Sequence, residues 1–317
     1  MPKIVVLGSL VFDFVARADR LPRRGETVLA TSFGMFTGGK GANQAVQAGR
    51  LGAETWMIGR VGDDFLGERL LESLQKSGVK TDFVKKDPRL PTGACCIHVD
   101  GEGENAIIIA PNASAACDRA DVDRAGDLIR SADVLLLQLE TNVDTVAYAL
   151  KRAQGSRAIT ILNPAPAREI RPGMLRGVGY LTPNESEAEF FSGVPRGDTR
   201  LEDWCALSGE KLAGLGARNV FITLGKHGVF VADASGRRVV PGFKVDAVDV
   251  TAAGDAFNGA FSVALAEGMD SKEAVRFANG AGALCASRAG AQASLCTRTE
   301  LEMFLASRPN EGKGGGA

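Results

Sequence analysis

The sequence predicts an α/β fold: a doubly wound, mostly parallel sheet flanked by helices, with a small β-sheet lid. Continuous apolar runs at Ile4–Leu7, Thr55–Ile58, Asp133–Leu137, Ala158–Leu162 and Val220–Leu224 read as strands buried on both faces. Between them, Gly41–Leu51, Phe65–Gln75, Ala120–Ile129 and Val143–Ala153 carry the apolar spacing of helices. Alternation of the two patterns predicts parallel strands joined by crossover helices. Two stretches break it. Val15–Phe36 is Gly-rich with no helical period, and Gly93–Ile109 reads as a hairpin turning at Asp100-Gly101-Glu102-Gly103. They predict lid segments at about residues 14–37 and 93–110.

The last third is helical, at Asp255–Ala266, Lys272–Ser287 and Glu300–Leu305. Asp270-x-x-Glu273 and Thr297-x-x-Glu300 are capping-box signatures for the last two of these helices. Residues 1–307 are expected to fold as one unit, and the Gly-rich residues 308–317 to form a disordered tail.

Composition narrows the function. A chain of 317 residues, 45% hydrophobic and 24% charged, buries a large core and is not mainly disordered. With 37 basic and 38 acidic residues the net charge is −1, which gives no reason to expect a nucleic-acid partner. No apolar run nears the roughly 18 residues needed to span a bilayer, and Met1–Leu10 has no signal-peptide pattern. The six cysteines form no C-x-x-C pair, so neither a zinc framework nor a disulfide scaffold is expected. Free thiols fit a cytoplasmic location. With only His98 and His227 present, Ser-His-Asp chemistry is a poor expectation.

Four stretches can carry chemistry. In Thr37-Gly38-Gly39-Lys40-Gly41-Ala42-Asn43-Gln44, glycines let backbone approach a ligand, and Lys40 and Asn43 at a helix start can hold hydroxyls or anions. It is not a phosphate loop, because Gly41 stands where Ser or Thr is needed. In Asp249-Val250-Thr251-Ala252-Ala253-Gly254-Asp255, small residues open a helix whose free amides can form an anion hole, and Asp255 can act as a base. Asn184-Glu185-Ser186-Glu187 reads equally as a capping box or as a holder of phosphate oxygens and metal-bound water. Thr223-Leu224-Gly225-Lys226-His227-Gly228 is a strand end with a Gly-bounded turn, either a plain hairpin or a ligand site at a carboxyl edge.

In this order, over roughly Lys3 to Leu305, the four stretches resemble the PfkB-type sugar kinases of the ribokinase-like fold. The two signature regions of that family correspond to Gly38–Gly52 and Asp249–Gly259. Further matching segments are Gly25-Glu26-Thr27, Gly101 to Asn105, Gln138-Leu139-Glu140, Leu162 to Arg168 and Pro183 to Glu189. The resemblance implies ATP-dependent phosphorylation of the primary hydroxyl of a pentose, D-ribose giving ribose 5-phosphate. Asp255 would be the general base, and the backbone of Ala252, Ala253, Gly254 and Asp255 the anion hole. Asp13, Gly39, Lys40, Gly41, Asn43 and Glu140 match sugar-binding positions. Asn184, Thr223, Gly225, Gly228, Gly254 and Asn279 match ATP-binding positions, and Glu187 the glutamate linked to Mg2+ and phosphate. Asp249, Thr251, Arg288, Gly290 and Ser294 match a monovalent cation site, usually for K+, built mainly of backbone oxygens. A homodimer through the β lid is also implied.

Val11 departs from the family pattern, which commonly has Asn two residues before the aspartate at position 13. A valine side chain makes no hydrogen bond to a hydroxyl, so a deoxysugar or a nucleoside stands as an alternative substrate, with Phe12 available to face it. A non-catalytic sugar-binding protein would not need Asp255, Gly254, Lys40 and Asn43 together. A dinucleotide-dependent oxidoreductase would need G-x-G-x-x-G where Gly8-Ser9-Leu10-Val11-Phe12-Asp13 stands.

Overall fold

The structure is a computed structural model that describes residues 1–309, 311 and 312. In chain order the strands are β1 (Lys3–Leu7), β2 (Val11–Arg17), β3 (Ser32–Gly38), β4 (Glu54–Gly62), β5 (Val79–Asp87), β6 (Gly93–Val99), β7 (Asn105–Ala110), β8 (Val134–Gln138), β9 (Ile159–Asn163), β10 (Tyr180–Leu181), β11 (Asn219–Thr223), β12 (Val229–Asp233) and β13 (Gly236–Val240). The helices are α1 (Lys40–Arg50), α2 (Phe65–Lys76), α3 (Asn112–Ala115), α4 (Arg119–Arg124), α5 (Gly126–Ser131), α6 (Val143–Ala153), α7 (Glu185–Ser192), α8 (Leu201–Gly214), α9 (Ala253–Ala266), α10 (Ser271–Ala286) and α11 (Arg298–Ala306).

The central sheet has nine strands in the order β13-β12-β11-β10-β9-β8-β1-β4-β5. It is parallel from β5 to β11, and β12 and β13 return antiparallel. Alternate residues of β1 serve the two faces: Ile4 and Val6 pack with α1, α2, α9 and α10, while Val5 and Leu7 pack with α4 to α8. That double burial explains the unbroken apolar run. The strand order reverses between β1 and β8, so their carboxyl ends open a crevice of the kind where open α/β sheets bind ligands.

A second sheet, in the order β3-β2-β6-β7, stands over that crevice. It contains the hairpin expected at Gly93–Ile109, paired through β6 and β7. The other expected lid segment is strand at both ends, with residues 18–31 irregular between them: β2 and β3 pair from Val11↔Gly38 to Arg17↔Ser32. Asp13, just past the carboxyl end of β1, therefore lies inside a lid strand. Strand alternation puts Val11 and Asp13 on one face and Phe12 on the other. Phe12 packs into the core instead of facing the crevice.

Other expectations shift in detail. The helix expected over Ala120–Ile129 is broken into α4 and α5 at Ala125, directly before Gly126, a poor helix residue. The capping boxes at Thr297 and Asn184 form as written, whereas Asp270 caps α10 with its own side chain alone. The tail expected to be disordered is anchored where it is described: Arg276 on α10 donates to the carbonyls of Arg308 and Glu311, and Gly312 is buried. The rest of that tail lies outside the described residues. No helix among the described residues is long and apolar enough to cross a membrane.

Candidate active site

Three glycines bring α1 against the turn after β1. A Cβ on Gly39, whose φ is +89°, would meet the backbone of Ser9 and Val11 within 3.1 Å. A Cβ on Gly41 would meet Gly8 and Ser9 at 2.6–2.8 Å, and a Cβ on Gly38 would overlap the Asp13 carboxylate. The Ser9 hydroxyl donates to Glu140 Oε2 at 2.5 Å, and the Lys40 amide donates to the same oxygen at 2.9 Å. Glu140, from the end of β8, is thereby fixed beside Lys40.

Asp255 faces this cluster from the first turn of α9 and is almost fully buried. Its Oδ2 accepts from Asn43 Nδ2 and its Oδ1 from Gln44 Nε2, both at 2.9 Å. Burial pushes its carboxyl above the usual range. The Lys40 ammonium and the two amide bonds pull the other way, and Glu140 adds repulsion. Burial, then the charges of Glu140 and Asp255, raise Asp13 from 3.8 to about 7. Burial works against the charged form of Lys40, but the fields of Asp255, Glu140 and Glu187 outweigh it and hold the lysine protonated. Asn43 Oδ1 is buried and unpartnered. It points to a ligand hydroxyl as the missing donor, since an orphaned buried acceptor costs roughly 1–3 kcal/mol.

The turn into α9 is strained in a useful way. Ala252 adopts a left-handed conformation at φ 62°, which costs a non-glycine residue roughly 1–2 kcal/mol. Its carbonyl accepts from the Ala256 amide, and the Ala253 amide bonds to the Val250 carbonyl. The Gly254 and Asp255 amides lie between, in the first turn, where the helix itself supplies no acceptor. Of the amides expected to form an anion hole from Ala252 to Asp255, that of Ala253 is engaged by the Val250 carbonyl, and Ala252 shapes the turn.

Beyond this turn a cavity of about 580 Å³ runs between α9, α10 and the β11–β12 turn, lined by Thr223, Gly225, Gly254 and Asn279 among others. Gly228 closes the turn at φ +96°, where a Cβ would sit 2.1 Å from the Val240 carbonyl oxygen. Asn184 and Glu187 do not line this cavity. They form a reciprocal capping box in which the Glu187 carboxylate accepts from the Asn184 backbone and side-chain amides at 2.9 and 3.0 Å. Burial raises the Glu187 carboxyl, the Asn184 bond and Lys40 lower it, and Asp255 raises it, with a net upward shift. Among the described residues no group of three or more His, Cys, Asp or Glu side chains is arranged to hold a metal ion.

Two loops meet beside the lid. Asp249 accepts from the amides of Thr251 and Gly290, both at 2.9 Å. Despite burial, these bonds hold its carboxyl below the usual range. Cys285 Sγ links the Thr251 carbonyl, at 3.4 Å, to the Ser294 hydroxyl at 2.9 Å. The Arg288 side chain turns away to Glu300 at 2.8 Å, leaving only its backbone for any role here. A groove of about 560 Å³ joins Asp249, Thr251 and Gly290 to Asp13 under the lid.

The sequence alone assigned no task to Ser9, Gln44, Gln138, Asn163 or Asn258, the last three standing only within matching segments. The available signal was a helix of Ala, Gly and Val carrying buried Asn43, Gln44 and Gln47 within five positions.

Residues 1–298 match the model of the pfkB family of carbohydrate kinases. The chain is 41% identical to the ribokinase of Bacillus subtilis (strain 168), covering 96% of this chain and all of that one. It is 32% identical to the deoxyribokinase of Salmonella typhi, covering 95% and 98%. The structure of Arabidopsis thaliana ribokinase complexed with ribose and ATP superposes with a TM-score of 0.88 at 30% identity, covering 96% and 98%.

The raised Asp13 predicts a pH-dependent stability. Between about pH 4 and 7 the folded protein keeps a proton that the unfolded chain has lost, so stability falls as pH rises through that window and levels off above about 7. Asp13→Asn removes that loss. Denaturant melts of the ligand-free protein should show the variant gaining on the parent by on the order of 2–4 kcal/mol between pH 4.5 and pH 8. A gain that is the same at both pH values would contradict the assignment.

Proposed function

The chain belongs to the pfkB family of carbohydrate kinases, and from that premise we propose the reaction it runs: transfer of the terminal phosphoryl group of ATP to the primary hydroxyl of D-ribose, giving ribose 5-phosphate. It is an ATP-dependent sugar kinase by its relatives. The observation that carries the mechanism is Asp255, which sits at the start of α9 between the large cavity and the Asp13–Lys40–Glu140 cluster.

In this reading Asp13, Lys40, Asn43 and Glu140 hold the sugar, with backbone at Gly39 and Gly41 allowing its close approach. Asp255 accepts the proton of the attacking hydroxyl. The Gly254 and Asp255 amides, aided by the positive end of α9, stabilise the charge that develops on the phosphoryl oxygens. ATP takes the cavity lined by Thr223, Gly225 and Asn279 and backed by Gly228, reaching Asn184 and Glu187 with its phosphates. The lid excludes water, which would otherwise hydrolyse ATP.

The residues present suit both implied ions. Glu187 is anchored by Asn184 and keeps free lone pairs, the chemistry expected of a carboxylate that holds metal-bound water. When bound, Mg2+ would neutralise phosphate charge. Asp249, with backbone oxygens of Thr251, Arg288 and Gly290 and the Ser294 side of the loop, offers the oxygen-rich donors a monovalent cation such as K+ takes. An ion there would brace the turn that shapes the anion hole. Six free cysteines suit the reducing cytoplasm.

A second reading, 2-deoxyribose as substrate, is favoured by Val11. It shares the crevice face of β2 with Asp13 and is buried there, so one edge of the sugar meets hydrocarbon. For the quaternary structure, the register lines up Met35, Phe14, Cys96 and Ile108 across the outer face of the lid. Met35 and Ile108 are exposed, as is Phe33 beside them. A second copy of the chain is proposed to cover this apolar face.

Four outcomes test the reading. With ATP, Mg2+ and K+, a panel of ribose, 2-deoxyribose, fructose and nucleosides should give the highest kcat/KM on ribose. Asp255→Ala should cut kcat by about 10²–10⁴-fold while the sugar still binds; near-parental turnover would remove Asp255 as the base. Replacing K+ with tetramethylammonium should lower the rate at saturating substrates, and an unchanged rate would remove the cation assignment. Sedimentation equilibrium should give a dimer that Ile108→Lys dissociates; a monomeric parent would refute the lid interface.

A further inference from the structure

Beneath Asp255 lies a chain of buried carboxamides that the catalytic reading does not use. Gln44 Nε2 donates to Asp255 Oδ1 at 2.9 Å and to Asn163 Oδ1 at 3.1 Å. Gln44 Oε1 accepts from Gln138 Nε2 at 2.6 Å. Asn163 Nδ2 donates to the Thr182 carbonyl at 3.0 Å. The Thr182 hydroxyl donates to Asn258 Oδ1 at 2.6 Å, and Asn258 Nδ2 donates to the Gly254 carbonyl at 2.8 Å. Gln44 and Gln138 have no exposed surface, and Asn163 and Asn258 are nearly as buried.

The direction of every donor is forced. A backbone carbonyl only accepts, so Thr182 turns the NH2 group of Asn163 toward itself and leaves Asn163 Oδ1 facing Gln44. Gln44 must then present its own NH2 group to Asn163 and to Asp255. Turned over, it would set its oxygen against both Asn163 Oδ1 and the carboxylate. Gln138 occupies the Gln44 oxygen and secures the same orientation. The network therefore begins at a fixed carbonyl on the β10 side of the sheet and ends at the reacting carboxylate. Its second branch ends at Gly254, whose amide belongs to the anion hole.

We propose that Gln44 is a positioning residue for catalysis: its amide, oriented by Asn163 and Gln138, holds Asp255 ionised and turned toward the substrate hydroxyl. The inference rests on Asp255 being the base. Asp255 also faces Lys40 on α1, Glu140 after β8, Asp13 on β2, Glu187 on α7 and Cys285 on α10. Of these only Lys40 favours the ionised form, so loss of a neutral donor leaves the carboxylate among repelling neighbours. A buried carboxylate that loses a hydrogen bond takes up a proton more readily.

The test compares kcat as a function of pH for the parent, Gln44→Met, Gln138→Met and Asp255→Ala, with thermal melts for each. Gln44→Met fills the same space without a donor. It should lower kcat near pH 7 by about ten- to a hundredfold and move the acid limb of the profile up by about one pH unit or more, so that activity partly recovers at high pH. Gln138→Met touches Gln44 but not Asp255 and should shift the limb in the same direction by less. It also carries the test if Gln44→Met does not fold. A folded Gln44→Met or Gln138→Met enzyme with lower kcat and an unmoved acid limb would overturn the proposal, because a purely structural role predicts that result. Asp255→Ala separates the two readings: if it stays active, the base assignment fails. If it is inactive while the limb of the glutamine variants is unmoved, only the role of Gln44 fails.

Discussion

A carboxylate withheld from water must be stabilised by something else, and the site is organised around that requirement at Asp255. Left alone in the interior, such a group protonates and is useless as a base. Here a lysine supplies charge, Asn43 and Gln44 supply one hydrogen bond to each carboxylate oxygen, and the first turn of α9 supplies a favourable dipole. The lysine and both amide donors come from α1, not from the helix that carries Asp255. As the proposed base, Asp255 needs α1 and α9 held within hydrogen-bond reach, which turns a question of chemistry into one of packing.

Glycine answers the packing question at two levels. A Cβ on Gly259 in α9 would lie 2.7 Å from the Gln44 carbonyl oxygen and from Gln47 Cβ on α1. A Cβ on Gly8 would lie 1.9 Å from Gln138 Oε1 and 2.9 Å from Gly41 Cα. The first glycine brings the two helices together. The second admits both α1 and Gln138 to the carboxyl end of β1. The switch in strand order between β1 and β8 opens the crevice, and these close approaches set what lines it.

The central sheet was legible because its physics is one-dimensional: strands buried on both faces read as apolar runs, and the helices between them show their period. The lid strands were harder to read. In β3, Ser32, Phe33, Met35 and Phe36 are all exposed, on both faces, so no alternation marks it as a strand. Asp13 was readable only as lying just past the first strand; it sits in a regular strand of its own, with Phe12 turned away from the crevice. Asp255, Lys40 and Asn43 stood out because glycines and small residues around them are costly to place by chance. Gln44 adjoins them and yet had no readable task. Its partners Gln138 and Asn163 lie on different strands, and only the folded sheet brings them to it.

The position of Asp13 ties the lid to the charge balance of the floor. Among the described residues its carboxyl shares the crevice with Glu140 and Asp255, and both oppose its ionisation. At neutral pH the open site therefore holds a carboxyl near its midpoint, able to donate or accept. A polyol offers both donors and acceptors and suits such a group in either form, whereas water can fill the place only at the cost of ordering. β2 carries Asp13 and pairs with both β3 and β6, so on the proposed reading a sugar hydroxyl that bonds Asp13 would also pull on the lid. In that reading substrate recognition and water exclusion share one strand, and a ligand that fails to engage Asp13 would give the lid less reason to shut.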